Sequence, residues 1–220
     1  MSTAANVADL NKGLIEAAQE LGTPHAIYRP VAPLTSALDA SNFQGQTLAA
    51  FPINYAYKAP IDPLKPRRVA ITDFTLVEAG DYLKEQADGN TYFIGSIDTM
   101  QPVYAVICNC VASIYSQSNT GDNAGNVGRL GNVTVGAIVT ETLKLANWPA
   151  SALYSGRGPK TLSLLPTDDT APQFTFLLPK LSVNVEISDL ITVDDGRRFV
   201  VRSAETNAGG TRLITNQTVE

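Results

Sequence analysis

The spacing of apolar and polar positions changes character along the chain. Over residues 6–21, Val7, Leu10, Leu14, Ala17, Ala18 and Leu21 recur at three- and four-residue steps, the single apolar stripe of an amphipathic helix. Asn6, with Asp9 three residues on, opens it as a capping pair, and Gly22 and Pro24 stop it. So short a helix is marginal in water by itself, so its stripe has to dock, either on its own domain or on a neighbouring subunit. From 23 to 66 neither period persists. Pro24, Pro30, Pro33, Pro52, Pro60, Pro63 and Pro66 crowd this stretch together with Tyr28, Phe43, Phe51, Tyr55 and Tyr57. Proline fixes φ and removes a donor, so the segment is predicted to be an extended arm whose aromatics lie on another surface.

Past residue 66 the pattern turns to strands, with Val69-Ala70-Ile71-Thr72, Phe74-Thr75-Leu76-Val77 and Val103-Tyr104-Ala105-Val106-Ile107-Cys108. Here the chain repeats itself. Val77-Glu78-Ala79-Gly80-Asp81-Tyr82-Leu83, followed by Asp88-Gly89 and Tyr92-Phe93-Ile94, returns as Val185-Glu186-Ile187-Ser188-Asp189-Leu190-Ile191, then Asp195-Gly196 and Phe199-Val200-Val201. The Asp-Gly pairs are strong hairpin signals, and one residue is lost in the second turn. Thr211 to Asn216 takes the place of Val103 to Asn109. Two turns in the same order and spacing make this a repeat of architecture, not of composition. Between the copies, residues 133–140 read as a strand and 141–145 as the opening of a helix that stops at Trp148-Pro149. The single Trp is placed to plug a junction between the halves.

The fold expected is mainly β. It has two related small antiparallel β-barrel or sandwich domains, an N-terminal amphipathic helix and a long Pro-rich extended arm. The boundaries read as helix 1–22, arm 23–66, first β-domain 67–116, loop and Trp-containing linker 117–170, and second β-domain 171–220.

Composition adds limits. A net charge of −5 argues against binding nucleic acid through phosphate neutralisation. No apolar run is long enough to span a membrane, and the first eleven residues lack the basic and apolar regions of a secretion signal. Cys108 and Cys110 fall two apart, on one face of a strand, and read as buried structural thiols. His25, the one histidine, reads as a surface or capping residue. Asp122, Asn123 and Asn126 lack the acidic spacing of a calcium loop. Asp73, Asp81 and Asp189 fall at turns, where short side chains bond back to the backbone. No catalytic set, metal site or cofactor motif stands out.

Several short stretches together resemble structural proteins of tailed bacteriophages. They are Leu21-Gly22-Thr23-Pro24 running into Ala26-Ile27-Tyr28-Arg29-Pro30; Gly80-Asp81 with Asp88-Gly89-Asn90-Thr91-Tyr92-Phe93 and Gln101-Pro102-Val103; Asn147-Trp148-Pro149-Ala150-Ser151; and Leu178-Pro179 before Asp194-Asp195-Gly196-Arg197-Arg198-Phe199-Val200-Val201. The likeness is spread over most of the chain and carries no catalytic residue. It implies a non-enzymatic virion component, made in the host bacterial cytoplasm and present as a ring of copies. The station it implies is the tail baseplate or, alternatively, the head–tail neck. The partners expected are copies of the chain and other tail or neck proteins, with no membrane and no specific nucleic acid. A carbohydrate-binding β-module is the reading from another class. Helix residues Val7, Leu10, Leu14 and Leu21 and arm residues Tyr28, Tyr55 and Tyr57 are the expected subunit interface.

Overall fold

The computed structural model describes residues 3–52, 66–97, 103–119, 139–157 and 172–218. Helix α1 (Thr3–Leu21) leads into six strands: β1 (Thr23–Tyr28), β2 (Phe43–Ala50), β3 (Arg67–Thr72), β4 (Tyr82–Glu85), β5 (Thr91–Ser96) and β6 (Val103–Cys108). They close into an antiparallel barrel in the order β1-β2-β3-β6-β5-β4. A single residue, Asn109, separates β6 from β7 (Cys110–Asn119). The chain then continues through β8 (Val139–Arg157), β9 (Pro172–Leu178), β10 (Leu190–Val193), β11 (Arg198–Asn207) and β12 (Gly210–Gln217). These close as β7-β8-β9-β12-β11-β10. Adding six to every strand of the first barrel gives the second.

The repeat extends to local irregularities. The ladder slips between Ile94 and Ser96 in β5 and between Val201 and Ser203 in β11, a bulge at the same step of each copy. Interior positions also correspond. Ile27, Leu83, Tyr92, Ile94, Val103 and Ala105 fill the first barrel, and Ile114, Ile191, Phe199, Val201 and Leu213 fill the second. Because side chains alternate along a strand, Tyr82, Phe93 and Val106 point out of the first barrel, in one row across β4, β5 and β6. They are nonetheless 0%, 1% and 3% exposed, because they join the core of the second barrel.

Three sequence expectations change. The 23–66 segment contributes β1 and β2 to the first barrel, and its prolines punctuate strands more than they forbid them. Pro24 sits inside β1 opposite Leu48, while Pro52 follows β2 and Pro66 precedes β3. Residues 141–145 are strand, not helix, because β8 runs through them paired to β7, with Glu141 opposite Gln117 and Leu145 opposite Ile114. The 117–170 linker is thus largely second-barrel structure where it is described. Phe74 to Val77 is a turn after β3, since Asp73 accepts from the Thr75 N–H at 2.9 Å and draws the chain around.

Candidate functional site

The seam between the barrels is built by residues 29–42 of the arm, irregular but for one 3-10 turn at Ala40–Asn42. This crossing leaves β1, reaches over to β8 and returns to β2. The Ala146 N–H donates to the Pro33 carbonyl at 2.9 Å, and the Trp148 indole Nε1 donates to the Thr35 carbonyl at 3.0 Å. Ala37 is fully buried in the joint core. From the other side the Tyr82 hydroxyl donates to the Pro149 carbonyl at 2.8 Å, and its ring meets Trp148 edge-on at 6.3 Å. Asn109 completes the junction. Its side chain donates to the Ala152 carbonyl at 2.8 Å and accepts from the Ala152 N–H at 2.7 Å. Trp148 does plug the junction.

Among the described residues, each barrel carries one buried carboxylate at the same point of the repeat. Asp81, 1% exposed, accepts the Glu78 N–H at 2.8 Å and a two-pronged donation from the Arg29 guanidinium, both prongs at 2.8 Å. Asp189, 4% exposed, accepts the Glu186 N–H at 2.8 Å and the Lys144 ammonium at 2.9 Å. Gly80 and Ser188, just before them, both have positive φ, +102° and +79°. Sequence reasoning located the acids as turn residues and missed their cations. Arg29 and Lys144 lie 52 and 45 residues from their partners, with no local sign of the pairing.

His25 is not a surface residue. It is 1% exposed inside the first barrel, with Nδ1 2.8 Å from the Thr23 carbonyl, Nε2 without a partner among the described residues, and the rings of Phe51 and Tyr92 against it. Its cross-strand neighbours are Thr47 and Glu85. Burial lowers its pKa, against smaller opposing effects of the Thr23 carbonyl and Glu85. Burial likewise pushes the Cys110 thiol up to about 12 and Cys108 higher still. Neither is a thiolate nucleophile at neutral pH. Among the described residues, no three His, Cys, Asp or Glu side chains come together as a metal site. None of the described helices is long and apolar enough to cross a membrane.

The expected interface residues divide. Leu14, with Ala18 of the same helix, is buried against Ile71 on the chain's own first barrel, Val7 is half-buried, and Leu10 and Leu21 are exposed. Tyr28 is half-buried, edge-on to Phe43 at 5.8 Å. Tyr55 and Tyr57 lie outside the described residues. The crossing adds Val31 and Leu34, both well exposed, which the sequence reading did not single out.

No protein family matches the sequence, and no curated protein matches it. Among solved structures the chain is similar to the phage-like element PBSX protein xkdH from Bacillus subtilis. The match is at 10% identity over 49% of this chain and 92% of that one, with a TM-score of 0.29. A likeness that slight carries no argument here.

Proposed function

We propose that the chain is a non-enzymatic structural subunit of a tailed-phage virion, which assembles with copies of itself and other virion proteins as a ring at the tail baseplate. The observation that carries this reading is where large apolar side chains stay in the open. Leu21 is 69% exposed on α1, and Val31 and Leu34 are 82% and 59% exposed on the crossing. On the second barrel Ile187 and Tyr154 are exposed as well, at 69% and 61%. Apolar groups held out on a rigid body favour contact with other proteins. The sequence resemblance to tailed-phage structural proteins supplies the setting.

Antibody labelling of phage particles is the test. Label at the distal tail is expected, and particles that carry no label overturn the virion reading. A neck connector, the alternative within the same setting, predicts heads that lose DNA when the protein is missing, whereas a baseplate part leaves the heads filled. A carbohydrate-binding module requires aromatics gathered on one face. Among the described residues the exposed aromatics, Phe43 and Tyr154, stand on different barrels, which favours the structural reading.

A further inference from the structure

The repeat makes one intramolecular interface a template for an intermolecular one. Strand registers fix which positions correspond. Ile94 pairs with Ala105, and Val201 pairs with Thr215, each at the last step before the shared bulge. Counting two residues back along β6 and β12 and then across, Ala70 opposite Val103 corresponds to Phe176 opposite Leu213. Ile71 therefore corresponds to Leu177. Ala50, the partner of Ile71, corresponds to Ser151, the partner of Leu177.

On the second barrel this face is covered by the first. Ser151 is 1% exposed, and Leu177 shares a cleft with Phe93, Tyr104 and Val106. On the first barrel the corresponding face, Ala50 and Ile71, is covered by Leu14, Ala17 and Ala18 of α1. The helix thus occupies, one repeat earlier, the place that the whole first barrel occupies on the second. The connections agree, since α1 enters β1 through Gly22 alone and β6 enters β7 through Asn109 alone.

The row that does the covering also has a counterpart. Tyr82, Phe93 and Val106 lie side by side across β4, β5 and β6, and Leu190, Val200 and Asn216 lie side by side across β10, β11 and β12. Within the chain this second row has no barrel to cover. Leu190 is 4% exposed, but Val200 and Asn216 are only half-buried.

We infer that α1 is a removable cap on a head-to-tail docking face, and that the occupant of the uncapped face is a second copy of this chain, presenting Val200 and Asn216, the accessible part of its row. A contact that runs from the tail of one copy to the head of the next is heterologous, so it closes into a ring or extends as a filament. The hold of the cap is thin. Leu14 and Ala18 are its buried side chains, and Asn11 donates to Asp73 at 3.2 Å while its own buried Oδ1 finds no donor among the described residues. An open groove of about 220 Å³ remains between Ile15 and Gln19 of the helix and Leu48 and Leu76 of the barrel. The inference rests on the self-association in the reading above and not on its virion setting. Labelled particles with a failed association test keep the setting and lose the cap; association in solution with unlabelled particles does the reverse.

The experiment is light scattering on the full-length chain after size exclusion, from about 1 to 100 μM, with circular dichroism as the check on folding. Leu14→Asp with Ala18→Asp lifts the cap, and mass is expected to rise with concentration while the intact chain stays at one copy. Adding Val200→Asp to the lifted chain is expected to return the mass to one copy. A folded, lifted chain that stays monomeric overturns the inference, and so does association that Val200→Asp leaves unchanged. If the charged pair unfolds the chain, Leu14→Ala with Ala18→Gly is measured in its place and the same association is expected. Unfolding in that form too makes α1 part of the core, which also overturns the inference.

Discussion

At the residue scale the two halves invite paired experiments, because corresponding side chains sit in different surroundings. Asp81 and Asp189 each hold a turn and a cation, but Asp81 grips a forked guanidinium and Asp189 a single ammonium. Breaking a hydrogen bond to a charged group costs roughly 1.5–3 kcal/mol. Asp81→Ala is therefore expected to lower stability by about 3 kcal/mol and Asp189→Ala by about 2 kcal/mol in urea unfolding. Equal and negligible losses would contradict the turn-holding role. The residue before each acid gives a second pair. Positive φ is open to glycine and strained for serine, by about 1–2 kcal/mol, offset in part by the entropy glycine loses on folding. Ser188→Gly, at φ +79°, is expected to raise the melting temperature, and Gly80→Ser, at φ +102°, to lower it.

His25 makes stability depend on pH, and the sign follows from burial. The folded state lowers its pKa below the unfolded value near 6.5, so the folded protein holds the neutral ring where the unfolded chain already takes a proton. Stability is then complete above about pH 6.5 and falls as pH drops from there toward the lowered folded value. Asp73 and Glu85, held below their ordinary range by hydrogen bonds from Thr75 and from Asn90 and Thr23, lose their own contributions only in the carboxylate range. With one histidine in the chain, the window between pH 6.5 and 5 reports on His25. Denaturant unfolding at pH 7.5 and 5.2 is expected to give lower stability at the acid end, and His25→Leu is expected to flatten the difference. A slope that persists in His25→Leu would mean another group is responsible.

At the scale of elements, legibility followed the range of the interactions. The α1 stripe, the Asp-Gly hairpins and the doubling of 77–94 in 185–201 are local patterns, and the structure carries all three. What the sequence concealed depends on distant partners. β1 and β2 look like arm because proline and aromatics mask their alternation, and they become strands only when β4 and β3 pair with them. Residues 141–145 look helical until β7 claims them. His25 resembles a cap because nothing nearby announces Phe51 and Tyr92 around it. The helix end supplies a sharp test. A Cβ on Gly22 would lie 2.4 Å from the Ala18 carbonyl oxygen and 3.1 Å from the Ala49 nitrogen, both backbone. Overpacking of this kind costs about 1–3 kcal/mol. Gly22→Ala is expected to loosen α1 from β2, seen as faster amide exchange along residues 14–21 while exchange in the second barrel is unchanged.

At the scale of the molecule, two barrels of one topology are joined by one residue, a crossing segment and a shared core. The large side chains at the seam, Tyr82, Phe93 and Trp148, are 4% exposed or less, so neither barrel is complete when its neighbour unfolds. That is why the double barrel displays its faces as a single rigid body, the premise of both assembly proposals. Differential scanning calorimetry of the full chain tests it most directly. One transition is predicted, with calorimetric and van't Hoff enthalpies equal, and Trp148→Ala is predicted to destabilise both barrels together by about 3–5 kcal/mol. Two resolved transitions in the intact chain, or a Trp148→Ala effect confined to the second barrel, would contradict it.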